Sequence, residues 1–313
     1  MLEVSLSSFS PFVLQDVCRP AVRARRIDVK AGLFLPEPLP RDCPAVVVLQ
    51  GLGGLKLGRE YRYGHMLAER GYAALVIDSV KARHHERHGD TGRALRMTET
   101  MILADAFAGL RFMAAEPWVD PRRIAVMGFS YGAMVSIFAA YEQVCRTYGM
   151  DDLRFAAHVC YYGCTVARFR DPTTTGAPVA MLVGELERNA SLPRTRLIAE
   201  DLRRGGSEVE LHEYPGAWHQ WDGADHEMRH VRFHLRRFDL MVGTDNVVRD
   251  RFTRLPMRGR LTRTLILAAN AGLGGYDILR DERTRNRSDQ DLLGFLDRTL
   301  ARRTRKGAGA RGI

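Results

Sequence analysis

The pentapeptide Gly128-Phe129-Ser130-Tyr131-Gly132 lies between an apolar run, Ile124-Ala125-Val126-Met127, and a segment from Ala133 to Tyr141 rich in small and apolar residues. The first reads as a short buried strand and the second as a packed helix. A serine between two glycines at a strand-to-helix turn can lift its hydroxyl clear of the backbone, and a Cβ at either glycine would crowd that turn. The chain must therefore feed a strand into a helix and leave one hydroxyl at the joint, as a serine nucleophile requires. With 29 Gly in 313 residues the bare pattern is a weak signal, so the flanking segments must carry the reading.

Those segments alternate between apolar runs and helical spacing. Ala45-Val46-Val47-Val48-Leu49 reads as a buried strand followed by Gln50-Gly51-Leu52-Gly53-Gly54, and a helix is predicted over 60–70, stopped by Gly71. Ala73-Ala74-Leu75-Val76-Ile77 is the next strand, ended by Asp78. Residues 97–115 place Ile102, Ala106, Leu110 and Met113 on one helical face, and Pro117 and Pro121 break the chain before Ile124. Further strands are predicted at 156–162, 178–183 and 208–214, with a helix over 192–204 stopped by Gly205-Gly206. The alternation predicts an α/β fold with a mostly parallel sheet and helices on both faces. Residues 22–35 read as an N-terminal edge strand or hairpin.

The rhythm breaks after residue 222. We divide the chain into a core (1–222), an insertion (223–284) that reads as a lid or hairpin, a closing helix (285–303) and a basic flexible tail (304–313). Gly243-Thr244-Asp245-Asn246 reads as a hairpin turn inside the insertion. Leu292, Leu293, Phe295, Leu296 and Leu300 form the apolar stripe of the closing helix.

Composition narrows the function classes. A 45% hydrophobic content suits an ordinary globular protein, and no stretch approaches the roughly 20 apolar residues needed to cross a bilayer. The segment Met1-Leu2-Glu3-Val4-Ser5-Leu6-Ser7 has neither a basic start nor a continuous apolar run, so a cytoplasmic protein without membrane contact is expected. Cys18, Cys43, Cys145, Cys160 and Cys164 match no zinc or C-x-x-C spacing and read as reduced, structural thiols. The net charge of +10 is concentrated late: residues 241–313 carry 16 basic against 8 acidic side chains. Arg298, Arg302, Arg303, Arg305, Lys306 and Arg311 lack aromatic interleaving, so they read as a solvated end rather than a nucleic-acid surface.

A serine hydroxyl attacks only when a base takes its proton, and histidine titrates in the right range. Among ten histidines, His219 is best placed, in Tyr214-Pro215-Gly216-Ala217-Trp218-His219 just beyond a predicted strand. A carboxylate should orient that imidazole. Gly184-Glu185-Leu186-Glu187 leaves another strand end between the serine and the histidine, with Glu187 the first choice and Glu185 its competitor. The oxyanion formed on attack needs backbone N–H donors. Tyr131 follows the serine, and Leu52 sits in a loop whose glycines at 51, 53 and 54 let backbone approach a substrate. That loop matches neither phosphate-binding glycine pattern, so no nucleotide cofactor is expected.

The loop Lys81-Ala82-Arg83-His84-His85-Glu86-Arg87-His88 lacks metal-ligand spacing, so no metal site is assigned. It follows the strand ending at Asp78, on the expected active-site side of the sheet, which makes Arg83 or His84 a candidate for binding an anionic substrate; Trp218, beside the histidine, is a further candidate.

With these segments, Leu67-Ala68-Glu69-Arg70-Gly71-Tyr72-Ala73 and Val119-Asp120-Pro121-Arg122-Arg123-Ile124, the chain resembles the dienelactone hydrolase family of the α/β-hydrolases. The resemblance implies an α/β-hydrolase fold and cofactor-free cleavage of a small ester or lactone by Ser130, His219 and Glu187. Peptidase or acyltransferase chemistry, or a non-catalytic binding role on the same scaffold, are the alternatives. Three departures stand out. Dienelactone hydrolases proper carry cysteine where this chain has Ser130, aspartate is usual where it has Glu187, and His-Gly often opens the loop that here opens Gln50-Gly51.

Overall fold

The apolar runs become the strands of one eight-stranded sheet in the computed structural model, which describes residues 1–163, 167–224 and 226–301. In chain order the strands begin with β1 (Leu2–Phe9), β2 (Arg26–Phe34), β3 (Cys43–Leu49), β4 (Ala73–Ile77) and β5 (Val119–Phe129). They continue with β6 (Ala157–Tyr161), β7 (Ala167–Phe169), β8 (Val179–Gly184) and β9 (Val209–Tyr214). The sheet order is β1-β2-β4-β3-β5-β6-β8-β9; β7 lies outside it. β1 and β2 run antiparallel to their neighbours, while the strands from β4 through to β9 are parallel.

The helices of the core are α1 (Pro20–Ala24), α2 (Arg62–Glu69), α3 (Asp90–Arg96), α4 (Glu99–Ala115), α5 (Tyr131–Phe138), α6 (Glu142–Thr147) and α7 (Leu192–Arg204). Two apolar clusters cover the two faces of the sheet. Ala45, Val47 and Leu49 of β3 pack with Ile102, Phe107 and Ile137 of α4 and α5. Val46 and Val48, the alternate residues, pack with Tyr63 and Leu67 of α2 and with Leu292 and Phe295 near the C-terminus. Because both faces are covered, a central strand such as β3 has no polar side, which is why its sequence is a continuous apolar run.

Residues beyond 222 add β10 (Arg229–His234), β11 (Leu240–Val242), β12 (Val248–Asp250), β13 (Pro256–Met257), α8 (Arg260–Asn270), β14 (Gly272–Ile278) and α9 (Glu282–Thr299). β10 and β14 pair as an antiparallel ribbon. β11, β12 and β13 form a small meander around the Gly243–Asn246 turn, and β7 joins it by pairing parallel with β11. No helix among the described residues is long and apolar enough to cross a membrane.

Several boundaries differ from the sequence reading. β1 carries a weak strand signal in the sequence, because Glu3, Ser5 and Ser7 are exposed and an edge strand buries only one face. Residues 20–24 turn as α1 before β2, so 22–35 is not a hairpin. The closing helix starts at Glu282, inside the segment assigned to the insertion: Asp281 caps it, accepting from the Arg283 N–H at 3.0 Å. Cys164 and the 304–313 tail lie outside the described residues. Cys43, Cys145 and Cys160 are buried and free, and burial pushes the Cys145 and Cys160 thiols up to about 12, far from reactive thiolates.

Candidate active site

β5 runs straight into Ser130, whose backbone sits at φ 51° and ψ −104° before α5 begins. A non-glycine residue in that region is strained and persists only where its surroundings enforce it. Here the two glycines do so. A Cβ on Gly128 would lie 2.2 Å from the Gly132 carbonyl oxygen, and one on Gly132 would lie 2.6 Å from the carbonyl oxygens of both Leu49 and Gln50. The Ser130 N–H donates to the Tyr161 carbonyl at 2.9 Å, tying the elbow to β6.

Residues widely separated in the chain meet at this hydroxyl. His219 Nε2 lies 3.1 Å from Ser130 Oγ, and His219 Nδ1 lies 2.5 Å from Glu187 Oε2. The side chains of His219 and Glu187 are wholly buried. The other carboxylate oxygen of Glu187 accepts from the backbone N–H groups of Asn189 (2.7 Å) and Ala190 (3.3 Å), which fixes its rotation. Glu185 instead accepts from the Gly216 N–H at 3.0 Å, at the base of the histidine loop and away from the imidazole. At Gly184, where a Cβ would lie 2.3 Å from the Ala217 carbonyl, the absence of a side chain lets the two loops close on each other.

Two aromatic rings hold the imidazole from the sides. Tyr162 and Tyr276 meet it edge-on at centroid distances of 5.0 and 4.9 Å. The Tyr162 hydroxyl donates to Asp222 at 2.6 Å, so the loop leaving β6 and the histidine loop share a buried contact. Burial raises the Asp222 carboxyl above the usual carboxylate range, with Arg59 opposing that rise. Arg59 is itself buried against Glu60, 2.5 Å away, and its guanidinium lies 5.2 Å from the Phe129 ring centre.

The glycine loop after β3 packs directly on the elbow. A Cβ on Gly51 would sit 3.8 Å from the Ser130 Cβ and 3.4 Å from the Phe129 carbonyl oxygen. Leu52 and Tyr131 both line the cavity at Ser130. The Tyr131 amide is the first of α5, a position where the helix offers no internal acceptor. Its hydroxyl is 2.7 Å from Glu99 Oε2 and 3.0 Å from Arg263 Nη2. Burial alone would raise the Glu99 carboxyl, and Arg263 beside it holds it below its usual value instead. None of this tyrosine's side-chain network could be seen in the sequence, since Arg263 belongs to α8.

The cavity has a volume of about 150 Å³. Besides core residues it is lined by Arg229, Val231 and Phe233 of β10 and by Tyr276 and Ile278 of β14, so the β10–β14 ribbon roofs the serine. The sequence placed no residue of this segment at the site.

Two expectations fail. Arg83 does not reach the cavity: its guanidinium forms a buried ion pair with Asp105 at 2.6 Å and also donates to the carbonyls of Phe9 and Ser79. The short turn Lys81–Arg83 and the left-handed His84 (φ 55°) aim this side chain back at β1 and α4. Trp218 is half-buried and does not line the cavity; its neighbour Gln220 does. Among the described residues no three His, Cys, Asp or Glu side chains gather as metal ligands.

Comparison with known proteins agrees with this architecture. Residues 29–231 match the dienelactone hydrolase family. Esterase FrsA of Photorhabdus laumondii is 30% identical over 131 residues, which is 42% of this chain and 29% of that protein. The chain thus spans under a third of the length of this curated relative. The dienelactone hydrolase-like promiscuous phosphotriesterase P91, from metagenomic libraries, superposes with a TM-score of 0.54 at 15% identity, covering 95% of this chain and 98% of its own. That likeness concerns the fold. The family match takes in the serine elbow, the Glu187 turn and the His219 loop, and the chain belongs to the dienelactone hydrolase family, with its α/β-hydrolase fold.

Proposed function

We propose that this protein is a serine hydrolase that cleaves a carboxylic ester or lactone through an acyl-enzyme. One observation carries the reading: Ser130 Oγ, the His219 imidazole and the Glu187 carboxylate stand in line at 3.1 and 2.5 Å, with Ser130 opening on the cavity.

With its proton on Nδ1, donated to Glu187, His219 presents the Nε2 lone pair to the serine hydroxyl. As Oγ attacks the substrate carbonyl carbon, Nε2 takes its proton and the carbonyl oxygen becomes an oxyanion. The amides of Tyr131 and Leu52 receive that charge, and one such donor is worth roughly 3 kcal/mol in the transition state. Collapse breaks the bond to the leaving oxygen, which takes the proton from His219 and departs as an alcohol. Water, deprotonated by the same imidazole, then releases the acid. Glu187 keeps its charge throughout and stabilises the imidazolium.

The test is direct. Ser130→Ala should retain the fold and lose nearly all turnover of short p-nitrophenyl esters, and Ser130 should be the residue labelled by a fluorophosphonate. Retained turnover in the alanine variant would refute the proposal, whereas cleavage of peptide amides as fast as esters would move it to a peptidase.

A further inference from the structure

We infer that the β10–β14 ribbon, rather than the core, decides which acyl groups enter this site, and that the preferred substrates are esters of compact acyl groups. The inference rests on the serine-hydrolase reading of Ser130. Successive side chains of a strand point to opposite faces. On β10 the alternate residues Arg229, Val231 and Phe233 line the cavity, as do Tyr276 and Ile278 on β14. Between them His230 and Asp277 pair at 2.8 Å on the other face. Apart from Tyr131, the core supplies few apolar side chains to the lining, chiefly Leu52 and Met134.

The roof is held at a fixed height. Ile278 makes a parallel backbone bridge with His219, and the Tyr276 ring rests on the imidazole. The Asp281 N–H donates to the Trp221 carbonyl at 2.9 Å, and the Leu235 N–H donates to the Asn189 carbonyl at 3.0 Å. Those partners sit on the two loops that carry His219 and Glu187. The ribbon is itself tight: a Cβ on Gly275 would lie 1.8 Å from the Val231 carbonyl oxygen. A cavity of about 150 Å³ is the size that accepts a benzene molecule inside a protein, below the roughly 300 Å³ at which ordinary ligand pockets begin. A longer acyl chain therefore collides with the roof instead of gaining the burial energy of each added methylene.

The experiment measures kcat/KM for p-nitrophenyl acetate, butyrate and octanoate, which share one leaving group. Wild type should fall about tenfold or more from butyrate to octanoate, the scale on which a pocket discriminates by size. Phe233→Ala should raise the octanoate-to-butyrate ratio about tenfold, and Arg232→Ala, on the exposed face of β10, should leave the ratio where it was. Phe233→Leu serves the same readout should the alanine variant not fold. Equal use of octanoate and butyrate by wild type overturns the inference, as does a ratio unmoved by either substitution at 233. A wild type that hydrolyses none of these esters and whose Ser130 resists a fluorophosphonate refutes the hydrolase reading itself.

Discussion

The guanidinium of Arg263 donates to the hydroxyl of Tyr131 over 3.0 Å, joining α8 to the residue that follows Ser130. Arg263 is 4% exposed and also pairs with Glu99 at 3.1 Å. The side chain next to Ser130 is thus held by a residue of α8, and its backbone N–H with it.

Removing that tether should misplace the proposed oxyanion donor while leaving the ring of residue 131 in the cavity wall. Tyr131→Phe is expected to lower kcat about tenfold with little change in KM, a partial version of the loss seen when a donor is deleted outright. Arg263→Met should do the same and also cost about 2 kcal/mol of stability, because Glu99, its side chain 16% exposed, is left with the Tyr131 hydroxyl as partner and no cation. Steady-state kinetics and urea unfolding separate the two effects, and adding Glu99→Gln should restore part of the stability alone.

The two glutamates beside the histidine loop give opposite expectations. Glu187→Gln should lower kcat by about four orders of magnitude, since an amide at Nδ1 no longer stabilises the imidazolium. Glu185→Gln changes only an exposed contact to the Gly216 N–H and should stay within about twofold of wild type. A pair of kinetic assays decides between them.

Arg83 should behave as a structural residue. Arg83→Ala is expected to leave KM for carboxylate-bearing esters unchanged and to destabilise the fold by about 3 kcal/mol, because Asp105 is completely buried. Asp105→Asn combined with Arg83→Met should recover part of that loss in thermal unfolding.

His158 predicts how stability responds to acid. It is fully buried on β6, and burial lowers its pKa to about 4 despite a 2.8 Å contact between Nδ1 and the Ser136 carbonyl. The unfolded chain binds this proton near pH 6.5 and the folded chain does not, so stability is present above that pH and is lost as pH falls towards 4. A shift of this size corresponds to about 3 kcal/mol. Urea midpoints at pH 7.5 and pH 5 should differ for wild type, and the difference should shrink in a His158→Leu variant that folds.

What the sequence revealed follows the range of the interactions. The elbow was legible because its geometry is local: two glycines, a strand and a helix within a few residues dictate it. That His219 and Glu187 stand beside Ser130 was legible because parallel strands place their C-terminal loops along one rim, so chain order served as spatial order. The same rule misled for Arg83, since it locates a loop but not the direction of a side chain, and a left-handed residue at 84 turned this one inward. The roof was illegible because β10 and β14 pair across a separation of nearly fifty residues, as Arg229 with Ile278. Arg263 looked like any other member of an arginine-rich chain until α8 brought it against Glu99.

The bridge between Ile278 and His219 has a mechanical corollary. If this ribbon swung up like a hinged door, it would drag the His219 imidazole out of line with Ser130 each time it opened. Opening and alignment of the imidazole would then alternate, so substrate entry and the Ser130–His219 contact would be governed by the same few bonds.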